Sequence, residues 1–148
     1  MKKIKRGNWV PLLPFQYRMP TMFLLAVTPI VSGVDYLLGE NYQSMTLIEK
    51  AIPLWIWGVL CIISGLSTCF GYLIRSPFFC IGGMWLTGSV FFTLAFGISW
   101  QSVDSAGGFR VPWLHLVVAI ASMFSAMGYK EQLNAEQSVI ENIGKRSE

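Results

Sequence analysis

Four long stretches of this chain carry almost no charge. Met19 to Gly39 holds a single charged residue, Asp35, and Ala51 to Ile74, Ser76 to Val103 and Val111 to Tyr129 hold none. A soluble amphipathic helix needs polar residues along its wet face every turn or two, and these stretches lack that face. Each meets or approaches the roughly 20 apolar residues that carry a helix across a hydrocarbon core about 30 Å thick. Hydrocarbon cannot satisfy free backbone N–H and C=O groups, so spanning segments are helices or closed barrels. The period-2 alternation of a barrel strand is absent. The pattern therefore predicts an all-α integral membrane bundle of four transmembrane helices, over about 19–39, 51–74, 77–100 and 111–129.

Local signals set the expected boundaries. Thr46-Leu47-Ile48-Glu49 has the form of a capping box ahead of the second span, which would place Pro53 inside that helix as a kink. Ser76-Pro77 reads as an N-cap followed by an N1 proline, so the second and third helices should form a tight hairpin around Arg75. Asp104 to Gly108 reads as a loop. Pro29 should bend the first helix, with Thr28 and Ser32 at hand for the freed carbonyl. Lys130 to Ile143 contains no breaker and should prolong the fourth helix beyond the membrane, with Leu133, Val139, Ile140 and Ile143 as a weak apolar stripe and Gly144 as its end. Three segments result: a basic N-terminal tail (1–18), the membrane domain (19–129) and a helical C-terminal tail (130–148).

Charge orients this arrangement. Of the eleven lysines and arginines, nine fall on one side (Lys2, Lys3, Lys5, Arg6, Arg18, Arg75, Lys130, Lys145, Arg146) and two, Lys50 and Arg110, on the other. The richer side is the cytoplasmic one, which places both termini in the cytoplasm. Tyr36, Tyr42, Trp55, Trp57, Trp100 and Trp113 are expected near the outer boundary, where amphipathic rings favour the headgroup level, and Trp85 deeper. The net charge of +3 thus reflects membrane orientation, and no nucleic-acid partner is expected. The implied location is a cell membrane, the inner or plasma membrane of a bacterium.

Candidate chemistry is sparse. Asp35 is the one ionisable residue well inside an expected span, and an intramembrane acid is a functional candidate by default. It lies about one turn from the outer end of its helix, however, where water is close, while a proton-coupled transporter needs its acid nearer the midplane. His115 is the sole histidine, too few for a haem or zinc site within one chain. Asp35 and His115 could meet at the outer face as a pH-sensitive pair or as an ordinary polar contact, the latter being the expected one. Cys61, Cys69 and Cys80 form no C-x-x-C and read as packing residues. No nucleophile elbow or phosphate loop is present, so no cofactor, metal or catalytic residue is expected.

Small residues are the more informative feature. Gly58, Cys61, Gly65 and Thr68 share one face of the second helix, Gly88, Ala95 and Ser99 one side of the third, and Ala119, Ser122 and Ala126 one side of the fourth. Such faces let helices pack closely by van der Waals contact, either inside one bundle or against another membrane protein.

The run Glu49-Lys50-Ala51-Ile52-Pro53-Leu54-Trp55-Ile56-Trp57-Gly58, followed by a glycine-spaced hairpin, resembles small multi-spanning membrane proteins encoded by tailed phages of actinobacteria. The resemblance covers mainly the second and third spans. It implies a phage or bacterial membrane setting and carries over no functional residue. The C-x-x-C of DsbB-like oxidoreductases and the central membrane glutamate of small multidrug transporters are both missing. The expected function is therefore that of a non-catalytic interaction or accessory component, whose partners are the lipid bilayer and other membrane proteins or further copies of itself. A holin-like pore former of phage lysis, and a small transporter or channel using Asp35, are the alternatives.

Overall fold

The computed structural model describes residues 15–38, 52–104 and 108–146, and all four elements it contains are helices. They are α1 (Phe15–Leu38), α2 (Leu54–Leu73), α3 (Pro77–Asp104) and α4 (Arg110–Arg146). By length and composition, α2, α3 and α4 can each cross a membrane; the described apolar part of α1, Leu24–Leu38, is shorter. Each helix packs along its length on the next one in sequence, while α1 and α4 touch only slightly. The four therefore run up and down in turn, joined by an extensive seam between each consecutive pair.

The start of α2 departs from the sequence expectation. Pro53 does not kink the helix but stands before it as its N-cap, with φ −51° and ψ 134°. A proline there gives up no helical hydrogen bond, because the first N–H groups of a helix have no intrahelical acceptor. The Thr46–Glu49 capping box lies outside the described residues, as do the tail before Phe15 and the middle of the loop after Asp104.

The turn from α2 into α3 is tight and fully bonded. Arg75 adopts the left-handed conformation, with φ 52°. The Arg75 N–H donates to the Tyr72 carbonyl at 3.3 Å and the Ser76 N–H to the Gly71 carbonyl at 2.8 Å. This is the Schellman arrangement, which satisfies carbonyls that the end of a helix leaves open. Pro77 then opens α3. The backbone of Cys80 lies so close to Gly71 that a Cβ would not fit there.

Two buried clusters fill the interior. Leu25, Cys80, Met84, Ala126 and Tyr129 form one toward the Arg75 end. Trp57, Cys61, Val90, Phe91, Leu94 and Ala119 form the other. Trp57, in the first turn of α2, is only 4% exposed, whereas its neighbour Trp55 is 59% exposed. The two rings are about 200° apart on the helix, so only one of them can face lipid and headgroups. Trp85 stands between these extremes, at 37%.

At the other end, α4 runs through Gly144 to Arg146 rather than stopping at the glycine. A helical glycine costs only about 1 kcal/mol against alanine, and no proline follows to force an end. Leu133 of the expected apolar stripe packs against the first cluster, while Val139 is exposed; the side chains of Ile140 and Ile143 lie outside the described set.

Candidate functional site

The small residues sit at the helix crossings. A Cβ on Gly33 of α1 would meet the Gly58 carbonyl of α2 at 2.6 Å, and one on Gly65 would meet the Ala26 carbonyl at 2.5 Å. Backbone thus lies on backbone at both places along α1 and α2. Gly83 of α3 abuts Thr68 and the Ser64 carbonyl, and Gly88 abuts Met123 and the Ala119 carbonyl of α4. The α2 face read as one stripe therefore serves two neighbours: Gly58 and Gly65 admit α1, while Thr68 receives α3. Cys61, Ala119, Ser122 and Ala126 are fully buried and Ala95 nearly so; Ser99 is half-buried.

These contacts set the register of the helices, and the register brings four buried residues to one level. Gly88 lies opposite the stretch between Ala119 and Met123, which puts Thr87 level with Ser122. Gly83 against Ser64 and Thr68 brings Ser64 to within about one residue of that height, and Gly65 against Ala26 and Ile30 adds Pro29. All four are under 2% exposed. The layer falls at mid-height of the four expected spans.

Hydroxyls in the layer are satisfied unequally. Ser64 donates to the Cys61 carbonyl at 2.8 Å, and one turn away Thr68 donates to the Ser64 carbonyl at 3.0 Å. Such bonds to a residue's own helix are the usual refuge of hydroxyls in membrane helices. Among the described residues the hydroxyls of Thr87 and Ser122 have no hydrogen-bond partner, nor does the indole N–H of Trp57 in the second cluster. On α1, Thr28 donates to the Leu24 carbonyl at 2.6 Å. The carbonyl that Pro29 deprives of its amide belongs to Leu25, so Thr28 does not take the role expected of it.

The two titratable candidates do not converge. Asp35 is exposed in the last turn of α1. His115 is half-buried, its Nδ1 lies 2.9 Å from the Val111 carbonyl, and its ring stacks on Phe91 with centroids 5.4 Å apart. These two described residues share no hydrogen bond or ion pair, which corrects the expectation that they meet. Their helices, α1 and α4, touch only slightly. Cys61, Cys69 and Cys80 are all free thiols. Among the described residues no group of three histidine, cysteine or acidic side chains comes together to hold a metal ion.

One concavity opens on the outside of the bundle, between the upper halves of α3 and α4. Its volume is about 290 Å³, and it is lined by Phe92, Ala95, Phe96 and Ser99 from α3, by Phe109 just ahead of α4, and by Pro112, Trp113 and Leu116 from α4. Nothing in the sequence pattern of either helix announces it, because each contributes half. Its walls are apolar apart from the Ser99 hydroxyl. No protein-family model, curated protein or solved structure matches this chain.

Proposed function

We propose that the chain is a non-catalytic integral membrane protein of four spans, with both ends in the cytoplasm, that works as an interaction or accessory component. The observation that carries the reading is the division of its surfaces. Gly33, Gly58, Gly65, Gly83 and Gly88 are taken up where the chain's own helices cross, while the outward faces carry many large apolar side chains among a few open small residues such as Gly82 and Gly128. Leu24, Val31, Leu66, Phe70, Phe96 and Phe124 are all more than half exposed. A surface of this kind stays in water only at great cost and is at home against lipid or another membrane protein.

Four spans and their direction draw on further support. The 24 residues of α1 extend about 36 Å, enough for the hydrocarbon core. The nine-to-two division of lysine and arginine orients the bundle. The 37 residues of α4 extend about 55 Å, so its last turns leave the membrane on the cytoplasmic side and offer a partner a polar handle that includes Glu131, Asn134 and Gln137. The phage or bacterial setting draws on the Glu49–Gly58 motif alone.

Crosslinking in native membranes, followed by purification in mild detergent, tests the role. The expected result is a defined adduct with a second membrane protein or a second copy. A strictly solitary monomer, with no adduct at any crosslinker length, overturns it.

A further inference from the structure

The outward side of α1 is unlike that of the other helices. Leu24, Thr28, Val31, Asp35 and Leu38 recur at alternating spacings of four and three, the spacing of a seam between two helices. Leu24, Val31 and Leu38 are 63%, 61% and 74% exposed, Asp35 is exposed and Thr28 is half-buried. α2 covers the other side of the helix, at Ala26 and Gly33, and α4 touches α1 only slightly. The exposed apolar side chains described on α1 are all aliphatic, while α2, α3 and α4 each turn aromatic rings outward, among them Phe70, Phe96 and Phe124. Asp35 lies on the seam line. Gly58 packs between Gly33 and Leu37, which puts Asp35 level with Gly58 and about 5 Å on the hydrocarbon side of Trp55, an exposed ring of the outer boundary. A carboxyl group facing lipid there is costly until another polar group meets it. No described residue bonds to it. Of the other charged residues expected on this side, Arg110 begins α4 and is exposed there, while Glu40, Glu49, Lys50 and the side chain of Asp104 lie outside the described set.

We propose that α1 pairs with α1 of a second copy of this chain in the same membrane, along the line from Leu24 to Leu38, with the two Asp35 carboxyl groups hydrogen-bonded to each other at the seam. Both copies thread the membrane in one direction, so a two-fold axis along the membrane normal sets like residue against like at the same depth. A second copy therefore brings a polar group to Asp35 without any further fitting. Two carboxyl groups complement each other, since the O–H of one donates to an oxygen of the other. Leu24, Val31 and Leu38 interlock with their counterparts on either side of that bond, as the apolar positions of a two-helix seam do. The pairing gives the interaction role proposed above a partner and a face, and it rests on that role.

Two measurements on the full chain test this. In membranes oxidised with copper phenanthroline, and with the native cysteines replaced, Leu38→Cys should give a disulfide-linked dimer, because like positions on the seam come within disulfide reach. Phe96→Cys, at a similar depth on the outward face of α3, should not. In sedimentation equilibrium of the detergent-purified chain, Asp35→Leu should weaken dimerisation about fivefold, the effect of one interhelical hydrogen bond in a membrane. Asp35→Asn keeps a donor and an acceptor and should dimerise as wild type does. A cross-link at Phe96→Cys equal to or stronger than that at Leu38→Cys overturns the pairing, as does equal dimerisation of wild type and Asp35→Leu. Asp35→Asn as weak as Asp35→Leu overturns it too, since a charge and not a shared hydrogen bond would then be needed opposite Asp35. A wild-type chain that stays monomeric in both measurements also ends the pairing. The interaction role falls with it only if the chain cross-links to no other membrane protein either.

Discussion

Replacing Gly65 by alanine tests the claim that α1 and α2 meet backbone to backbone. The new Cβ would lie 2.5 Å from the Ala26 carbonyl oxygen and 2.5 Å from Cγ1 of Ile30. Ile30 can turn aside, but a helical carbonyl cannot, so the two helices must part by about 1 Å to reach an ordinary contact of roughly 3.5 Å. Overpacking of this kind costs about 1–3 kcal/mol. Alanine also gains up to about 1 kcal/mol over glycine in a helix interior. Gly82→Ala removes that second term from the comparison, because a Cβ at Gly82 meets nothing within 4 Å. The propensity gain is common to both variants, and their difference isolates the steric cost. Unfolding of each in detergent by SDS titration should therefore rank wild type above Gly65→Ala, and Gly82→Ala level with or above wild type. The two variants should differ by about 1–3 kcal/mol. If Gly65→Ala were as stable as Gly82→Ala, the crossing of α1 and α2 could not be where the fold puts it.

The unpartnered hydroxyls make a second test. Thr87→Val and Ser122→Ala each remove a buried polar group that has no bond to lose, so each should leave stability unchanged or raise it by up to about 1 kcal/mol in the same titration; a clear loss would mean that these hydroxyls bond to something. Arg75→Gly should relieve the left-handed strain of a residue with a Cβ by roughly 1 kcal/mol, read as a higher unfolding midpoint, and a fall would show that the arginine side chain contributes more than its backbone costs. The three thiols should differ toward a small membrane-permeant maleimide in folded protein: Cys61 and Cys80, fully buried, should stay unmodified while Cys69 reacts slowly, and equal labelling of all three would contradict the packing of α2 on α3.

The sequence made the helices legible because each long uncharged stretch has one stable form in hydrocarbon. Ser76-Pro77 placed the start of α3, since a proline is cheap at the first helical position and costly later. The same rule was harder to apply at Pro53, where the preceding Thr46–Glu49 run offered an earlier and equally reasonable cap. Small-residue faces were visible, but not which neighbour each would meet: Gly58 and Thr68 are ten residues apart and share a face only within the width that two neighbouring helices divide. Trp57 and Trp55 could not be told apart by type, because their burial depends on the phase of α2 against α3. The α3–α4 groove and the level that joins Pro29, Ser64, Thr87 and Ser122 exist only once the register between helices is set, and no single stretch of sequence contains it.

The proposed topology has hydrocarbon around four crossings and both tails on one side. In a chain whose own cysteines are replaced, single cysteines at Ser44, Ser105 and Ser138 can be challenged with an impermeant maleimide in intact cells and again after permeabilisation. Positions 44 and 105 should label in intact cells, and position 138, with one placed at Lys3, only once the membrane is opened. Labelling of 3 and 138 from opposite faces would mean an odd number of crossings and would rule this topology out.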